Sequence, residues 1–504
     1  MKAALALGVV LGGACGGDSY VVVTVSARPT VHDVVSLEVT QVNNGTTRTD
    51  TLDLGSHMLP ATFSISDASR SGELDLTISG KASDGSVVGL GSATTMFDVA
   101  DASVQLDPAD FVVNTDYAMD EFLTTDFETV GYQLAATSDF KWTAAFRNTC
   151  TDTCNVFART FGTDGLPVNT AAAAGTNAYQ ISSATTQEGA FPAIASAGTA
   201  SVAVWDFTDT VGAGVGVACR GINASGALTA GQRTISTDAA DTATITPLPT
   251  GNFAVAWQIY SPASAVHTII AKPDCTTLTA APLVVSATVA TLDGPYRSSV
   301  AANGTALLYA WLADDSVHVR STTTTATTFT VPEVSLGAAP TGMLAEAVRL
   351  APMGTGFAVA IRYISATAGM PGQIVLLRVS TTGVAMGTAV PISDKTGSDF
   401  TNGRRGFGIS TRADGATIIV WAQCDDGSAG ECDGRLDVYG SVIGATGGPG
   451  TPFMIPTTTL GSQTDPSVVA LDDSFAVAWT DDSKALPDTD GTAVRARVIY
   501  PSFP

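Results

Sequence analysis

Basic residues are scarce in this 504-residue chain: 24 Lys and Arg stand against 47 Asp and Glu, a net charge of −23. So acidic a surface repels phosphate backbones and excludes nucleic acid as the expected partner. Long apolar runs are missing too. Beyond the N-terminus no stretch of about 20 apolar residues occurs, so nothing there reads as a membrane-spanning helix. Apolar residues at helical spacing are absent after the first fifteen positions. Histidine is nearly absent as well, with only His32, His57, His267 and His318, widely scattered. Neither a His-Glu-x-x-His zinc motif nor a Gly-x-Ser-x-Gly nucleophile elbow can be found, and no glycine loop is built to cradle phosphate. What remains is rich in Gly, Ala, Ser and Thr set between Gly and Asp turns, the composition of an all-β protein.

The chain opens "MKAALALGVVLGGACGGDS". Lys2 is a short positive region, and Ala3–Leu11 is an apolar core of signal-peptide length. Small residues then precede Cys15. Residues 1–15 resemble a bacterial lipoprotein signal, whose cleavage would free Cys15 for lipid attachment. The usual Leu would stand three residues before the cysteine, whereas Leu11 stands four before it. An ordinary secretory signal cut near Ala14 is the other reading. Either implies export, to the outer membrane or cell surface, the periplasm or the medium, with a lipid anchor as the sole membrane tie.

Seven cysteines become six once Cys15 is set aside. Cys150/Cys154 and Cys424/Cys432 each flank a polar turn that follows an apolar run, where a disulfide can staple a hairpin. Cys219 and Cys275 are left to pair by elimination. Zinc also binds close cysteine pairs, but these spacings are unlike zinc knuckles and no histidine is near.

A short phrase recurs through the chain: "WTAAF", "SVAVW", "FAVAW", "LLYAW", "FAVAI", "TIIVW", "FAVAW". The copies end at Phe146, Trp205, Trp257, Trp311, Ile361, Trp421 and Trp479, 50 to 60 residues apart. Five of the six tryptophans fall in this one slot, and Trp142 opens the first copy. A run often begun by Pro precedes each phrase, an acidic or polar loop follows it, and a third and a short fourth run complete the unit. Four short strands joined by hairpin-length turns make one blade of a β-propeller. The repeated aromatic is expected to pack blade on blade rather than to stack on sugars.

The fourth runs are shifted against the phrases. Six follow a phrase ("YQISS", "RTIST", "LVVSA", "FTVPE", "AVPIS", "FMIPT"), none follows the seventh, and "FVVNT" (Phe111–Thr115) precedes the first. A ring must close or leave a raw edge. The expected fold is therefore a seven-bladed propeller over residues 131–504, closed by 111–115, with residues 108–130 holding that strand and an acidic connector.

The seventh unit, "GSQTDPSVVALDDSFAVAWTDDS" through "DTDGTAVRAR", resembles a repeat of exported bacterial proteins, "P-x-va-L-x-dG-x-fvvaW", found in large proteins described as calcium-binding or haemolysin-like. The resemblance covers about three-quarters of the chain and implies an architecture, not an activity.

Residues 19–107 lack the repeat. About seven alternating runs, broken by "NNG" and "SDG", give the profile of an Ig-like or fibronectin-like β-sandwich, without the Cys…Trp…Cys signature. Such a domain would act as a spacer above a lipid anchor.

The loops after the phrase carry Asp206 and Asp209, Asp314 and Asp315, Asp425 and Asp426, and Asp481 and Asp482. With Asp488 and Asp490 of "DTDG", oxygen-rich loops on one rim suit Ca²⁺. The competing reading is solvated turns, where Asp and Gly are favoured for backbone reasons. The leading expectation is a monomeric, non-enzymatic surface lipoprotein that binds a protein or a glycan without a cofactor. A hydrolase or lyase acting on polysaccharide is the alternative.

Overall fold

The computed structural model describes residues 20–66, 71–97, 101–115, 121–122, 133–148, 154–173, 175–183, 187–209, 215–229, 231–238, 240–259, 264–286, 298–313, 316–325, 328–365, 372–393, 406–424, 436–444 and 448–501. The expected signal peptide and Cys15, together with Cys150 and Cys432, lie outside these residues. The chain divides into an N-terminal unit and a larger unit that begins at Phe111.

The N-terminal unit has seven strands: β1 (Tyr20–Ala27), β2 (Ser36–Asn43), β3 (Thr46–Asp53), β4 (Ala61–Ser66), β5 (Glu73–Lys81), β6 (Val87–Met96) and β7 (Asp101–Pro108). Alternation decides which residues turn inward, because side chains on a strand change face at every step. Val21, Val23 and Val25 share one core with Leu37, Val39, Leu74, Leu76, Ile78, Val104 and Leu106. The pairing departs from the expected Ig-like sandwich. All seven strands follow one path, β3-β2-β5-β6-β7-β1-β4, rather than two separate facing sheets. The β6–β7 link rests on two residue pairs, Gly89 with Pro108 and Leu90 with Asp107. Glycine is needed beside it, since a Cβ on Gly91 would meet the Gln105 carbonyl oxygen at 2.4 Å.

The second unit is a propeller of seven sheets built on four antiparallel strands each, sequential in blades 1 to 6; in blade 1 the short strand Glu121–Phe122 adds a fifth, pairing with Asn148 and Arg147. Blade 3 is representative: Ala240–Pro247, Phe253–Ile259, Ala265–Ala271 and Leu283–Val284 from first strand to fourth. Its second strand explains the recurrent phrase. Phe253, Val255 and Trp257 pack with Val202 and Val204 of blade 2. Ala254 and Ala256 face the other way and receive Trp311 of blade 4. Ala358 and Ala360 of blade 5 likewise take Trp421 of blade 6, and Ala145 of blade 1 takes Trp205 of blade 2. Large residues thus project toward the preceding blade and small ones leave room for the next. All six tryptophans are buried, as are Phe146 and Ile361 in the same slot.

Serines lace the first strands together. The amides of Leu350, Ala470 and Gln133 donate to Ser299, Ser410 and Ser467 of the neighbouring blade at 3.0, 2.9 and 3.1 Å. The last of these joins blade 7 to blade 1.

Blade 7 is completed by Phe111–Val112, which pairs with Ala496 and Arg495. In five of the seven blades the residue just beyond the fourth strand repeats one hydrogen bond. Ile181, Val285, Ile392 and Ile455 donate their amides to Val156, Val266, Ile374 and Val438, and Val113 donates to Val494 at 2.7 Å. The following side chain then accepts from the third strand: Ser182, Ser286 and Ser393 in blades 1, 3 and 5, and Asn114 in blade 7. An N-terminal segment therefore occupies a fourth-strand position in full chemical detail. Blade 4 differs from expectation. Its fourth strand is Val334–Ala338, not "FTVPE". Phe329 packs on Tyr309 instead, and the Val331 carbonyl accepts from Arg320.

Candidate functional site

Each blade must be held to the next, and the third strand supplies the clamp. Two residues beyond the cross-strand neighbour of the phrase-ending residue stand Arg159 in blade 1, Arg220 in blade 2 and Arg320 in blade 4. Their guanidinium Nη1 groups reach back to main-chain carbonyls beside the preceding blade's fourth strand: Val113 at 2.9 Å, Ile181 at 2.9 Å and Val285 at 2.8 Å. A cation donating to a carbonyl in a half-buried seam is stronger than a neutral hydrogen bond. The Arg159 clamp crosses the ring closure itself.

Three blades place another residue there: Ile269 in blade 3, Leu377 in blade 5 and Ser441 in blade 6. The blade 2–3 seam is closed by the Cys219–Cys275 disulfide, as the elimination argument expects. Cys275 takes a φ of 64° at a turn position where Gly165, Gly226 and Gly383 hold 75°, 73° and 81°. A cysteine stands there where the other blades have glycine, despite the backbone cost. The blade 4–5 seam is apolar, with Leu377 packed among Leu308, Ala310 and Val319.

At the blade 5–6 seam, Ser441 donates to Gly450 of its own blade. Arg349 stacks on Phe407 deep in this seam, 5.2 Å from the ring centroid. Farther out the two blades stand apart. A cavity of about 610 Å³ lies among the first-to-second-strand turns, lined by Met353, Gly354, Thr411 and Asp414. A second, of about 200 Å³, lies between Thr388, Val390, Ile443 and Pro449. Both are lined by Arg378 and Met386, so they form one groove along the seam. Met386 and Val384 are each 56% exposed and Val390 is 40% exposed. Arg412 at the groove wall is committed to Asp414 and to the Asp473 carbonyl. Among the described residues no carboxylate pairs with Arg378.

The opposite rim carries the acidic loops singled out in the sequence. Asp314, Asp315, Asp425 and Asp426 lie outside the described residues, and Asp206 is buried. In blade 7, Asp481 is buried and receives Arg495 Nε at 2.7 Å, Gln463 Nε2 at 3.0 Å and the Ser483 hydroxyl. Burial pushes the Asp481 carboxyl up, against the lowering effect of Ser483, Gln463 and Arg495. Asp482 accepts from the Ser462 amide. Asp488 is buried and accepts from Asn114 Nδ2 at 2.7 Å and from the Asp490 amide at 3.2 Å. Burial raises Asp488 as well. Asp481, Asp482 and Asp488 thus serve as internal hydrogen-bond acceptors and loop braces, and Asp490 takes part through its backbone amide. Among the described residues no group of three or more His, Cys, Asp or Glu is arranged to hold a metal ion. Glu346 of blade 5 pairs with Arg362 at 3.1 Å, both buried.

Cys154 is in disulfide form. Cys424 ends a second strand, and its expected partner Cys432 lies outside the described residues. The clamp arginines were missed in the sequence, although "VFARTF", "VACRG" and "SVHVRS" display them once the third runs are aligned on the phrase.

No protein-family model matches the chain, and no curated protein does. Solved structures with a similar fold include the BP39L lectin from Burkholderia pseudomallei, 16% identical, covering 74% of this chain and 96% of that one with a TM-score of 0.49. A prolyl endopeptidase is 13% identical over 75% of this chain, with a TM-score of 0.44, and the match spans 47% of that enzyme's length. An α-L-arabinanase from Penicillium chrysogenum is 10% identical over 77% of this chain and 98% of its own, with a TM-score of 0.41. Lectins and hydrolases stand side by side among them, and the likeness is one of fold alone.

Proposed function

We propose that this chain is an exported, lipid-anchored binding protein whose propeller is a non-enzymatic scaffold for a protein ligand, held in the groove between blades 5 and 6. The observation that carries the reading is the groove itself, which runs along a seam whose third strand has the buried Ser441 where other blades have a clamp arginine. An opening at such a seam exposes apolar side chains that other seams bury, and exposed apolar surface of this kind marks interaction sites. Two further observations support it. Every tryptophan is buried, and Tyr20 is the one aromatic among the exposed large hydrophobics, so a sugar finds little ring surface to stack on among the described residues. The buried pairs at Asp481–Arg495 and Glu346–Arg362 join acid to base rather than acid to acid, unlike the two carboxylates a glycoside hydrolase sets about the scissile bond.

The test is a side-by-side exposure of the purified chain to a phage-displayed random peptide library, a glycan array and a panel of polysaccharides. Peptides are expected to be enriched, with no glycan retained and no reducing ends released. Glycan retention, or polysaccharide cleavage, would overturn the reading. The lipid anchor has its own test: incorporation of a fatty-acid analogue that persists in Cys15→Ser would refute it.

A further inference from the structure

We infer that the blade 5–6 groove takes an extended peptide segment in which an acidic side chain is flanked by aliphatic ones. This rests on the protein-binding reading above and deepens it.

The argument begins with charge. In a chain of net charge −23, most guanidinium groups have a carbonyl or carboxylate near them. Arg159, Arg220 and Arg320 hold backbone carbonyls, Arg362 and Arg495 hold buried carboxylates, and Arg412 is shared between Asp414 and a carbonyl. Arg378 lines both parts of the groove and no described carboxylate answers it. The one acidic residue lining the groove, Asp414, is already held by Arg412 at 2.5 Å. The groove therefore offers a cation whose natural complement is a carboxylate brought by the ligand, and a planar guanidinium suits a carboxylate in two-point geometry.

Shape and lining supply the rest. Arg378 and Met386 line both cavities, so an occupant that engages both is extended rather than compact. Beside Arg378 stand Met386, Val390, Ile392 and Pro449, an apolar lining with a flexible thioether at its centre. Methionine adapts its shape to varied aliphatic partners. Along an extended peptide, side chains alternate in direction, so residues two positions before and after an acidic one point the same way and can reach these pockets.

The test uses the same random peptide library on the full chain, on Arg378→Glu and on Arg378→Gln. On the wild type, selected peptides are expected to carry Asp or Glu with aliphatic neighbours. Arg378→Glu is expected to select Lys or Arg at the same place with the aliphatic neighbours kept. Arg378→Gln is expected to bind the wild-type peptides about tenfold more weakly, as loss of a charge pair implies. Arg378 is partly exposed, and a thermal melt checks that both variants fold. Aliphatic peptides without an acidic bias, retained equally by all three proteins, would overturn this inference while leaving the protein-binding reading standing. No peptide enrichment on the wild type would overturn both.

Discussion

A tryptophan that closes a run of alternating large and small residues behaves in this molecule as one half of a lock. Trp311 fills the space left by Ala254 and Ala256, so truncation should open a cavity that neighbours cannot collapse into. Trp311→Ala is expected to cost about 3–5 kcal/mol, read as a lowered melting temperature. Ala256→Leu should destabilise from the other side of the same seam, by overpacking. The slot was legible because seven copies repeat it, which multiplies a signal that one copy leaves ambiguous. Asp481 was not legible. In sequence it looks like one more turn aspartate, and only the return of Arg495 in the next strand buries it. Its carboxyl is raised in the folded chain, mainly by burial. The stability linked to its protonation is then fully present below the unfolded carboxyl value and is lost as pH rises through the folded value. The gap in melting temperature between wild type and Asp481→Asn should therefore change in favour of the wild type as pH falls from about 7 to about 4. Parallel melting curves would refute this.

The element that closes the ring is only two residues long by pairing, yet its surroundings repeat those of the other fourth strands. Asn114 replaces the serine of blades 1, 3 and 5, and it adds a bond to Asp488 that a serine is too short to make. Asn114→Ala is expected to cost about 1–3 kcal/mol, because the Val494 amide and the Asp488 carboxylate both lose a buried partner. Asn114→Ser should recover the first bond only. The Cys219–Cys275 staple, with a sequence separation of 56, contributes roughly 4 kcal/mol by chain entropy. Reduction, or Cys219→Ser, should lower the melting point accordingly. Combining Cys219→Ala with Cys275→Gly should do less harm, since glycine accepts the left-handed backbone at 275. Counting fourth runs was enough to read the closure. Blade 4 escaped because "FTVPE" has the right alternation, while the pairing of His318 with Ser335 and Val319 with Val334 sets a later register. The N-terminal strands were legible one by one, but their joining into a single path was not. It depends on Gly91 letting one backbone approach another, which no alternation pattern reveals.

At the scale of the whole molecule, function is assigned to a departure from the repeat. Of the seven seams, three carry an arginine clamp, one a disulfide and one an apolar plug; blade 7 has Arg497 at the clamp position, bonded to the Pro108 carbonyl instead, and the blade 5–6 seam has Ser441 and a groove. The residue was visible in "VYGSVI". Its meaning was not, because an absence becomes readable only when the other blades show what belongs there. The rim of acidic loops drew attention first, yet the described members of that rim brace the fold. The most direct measurement is peptide binding by Ser441→Arg, using the peptides selected on the wild type. An arginine at 441 should reach for the Ile392 carbonyl, as its counterparts do for theirs, and narrow the groove that Ile392 lines. The expected result is a folded protein, checked by its thermal melt, that no longer binds. A folded Ser441→Arg that binds with undiminished affinity would contradict the account.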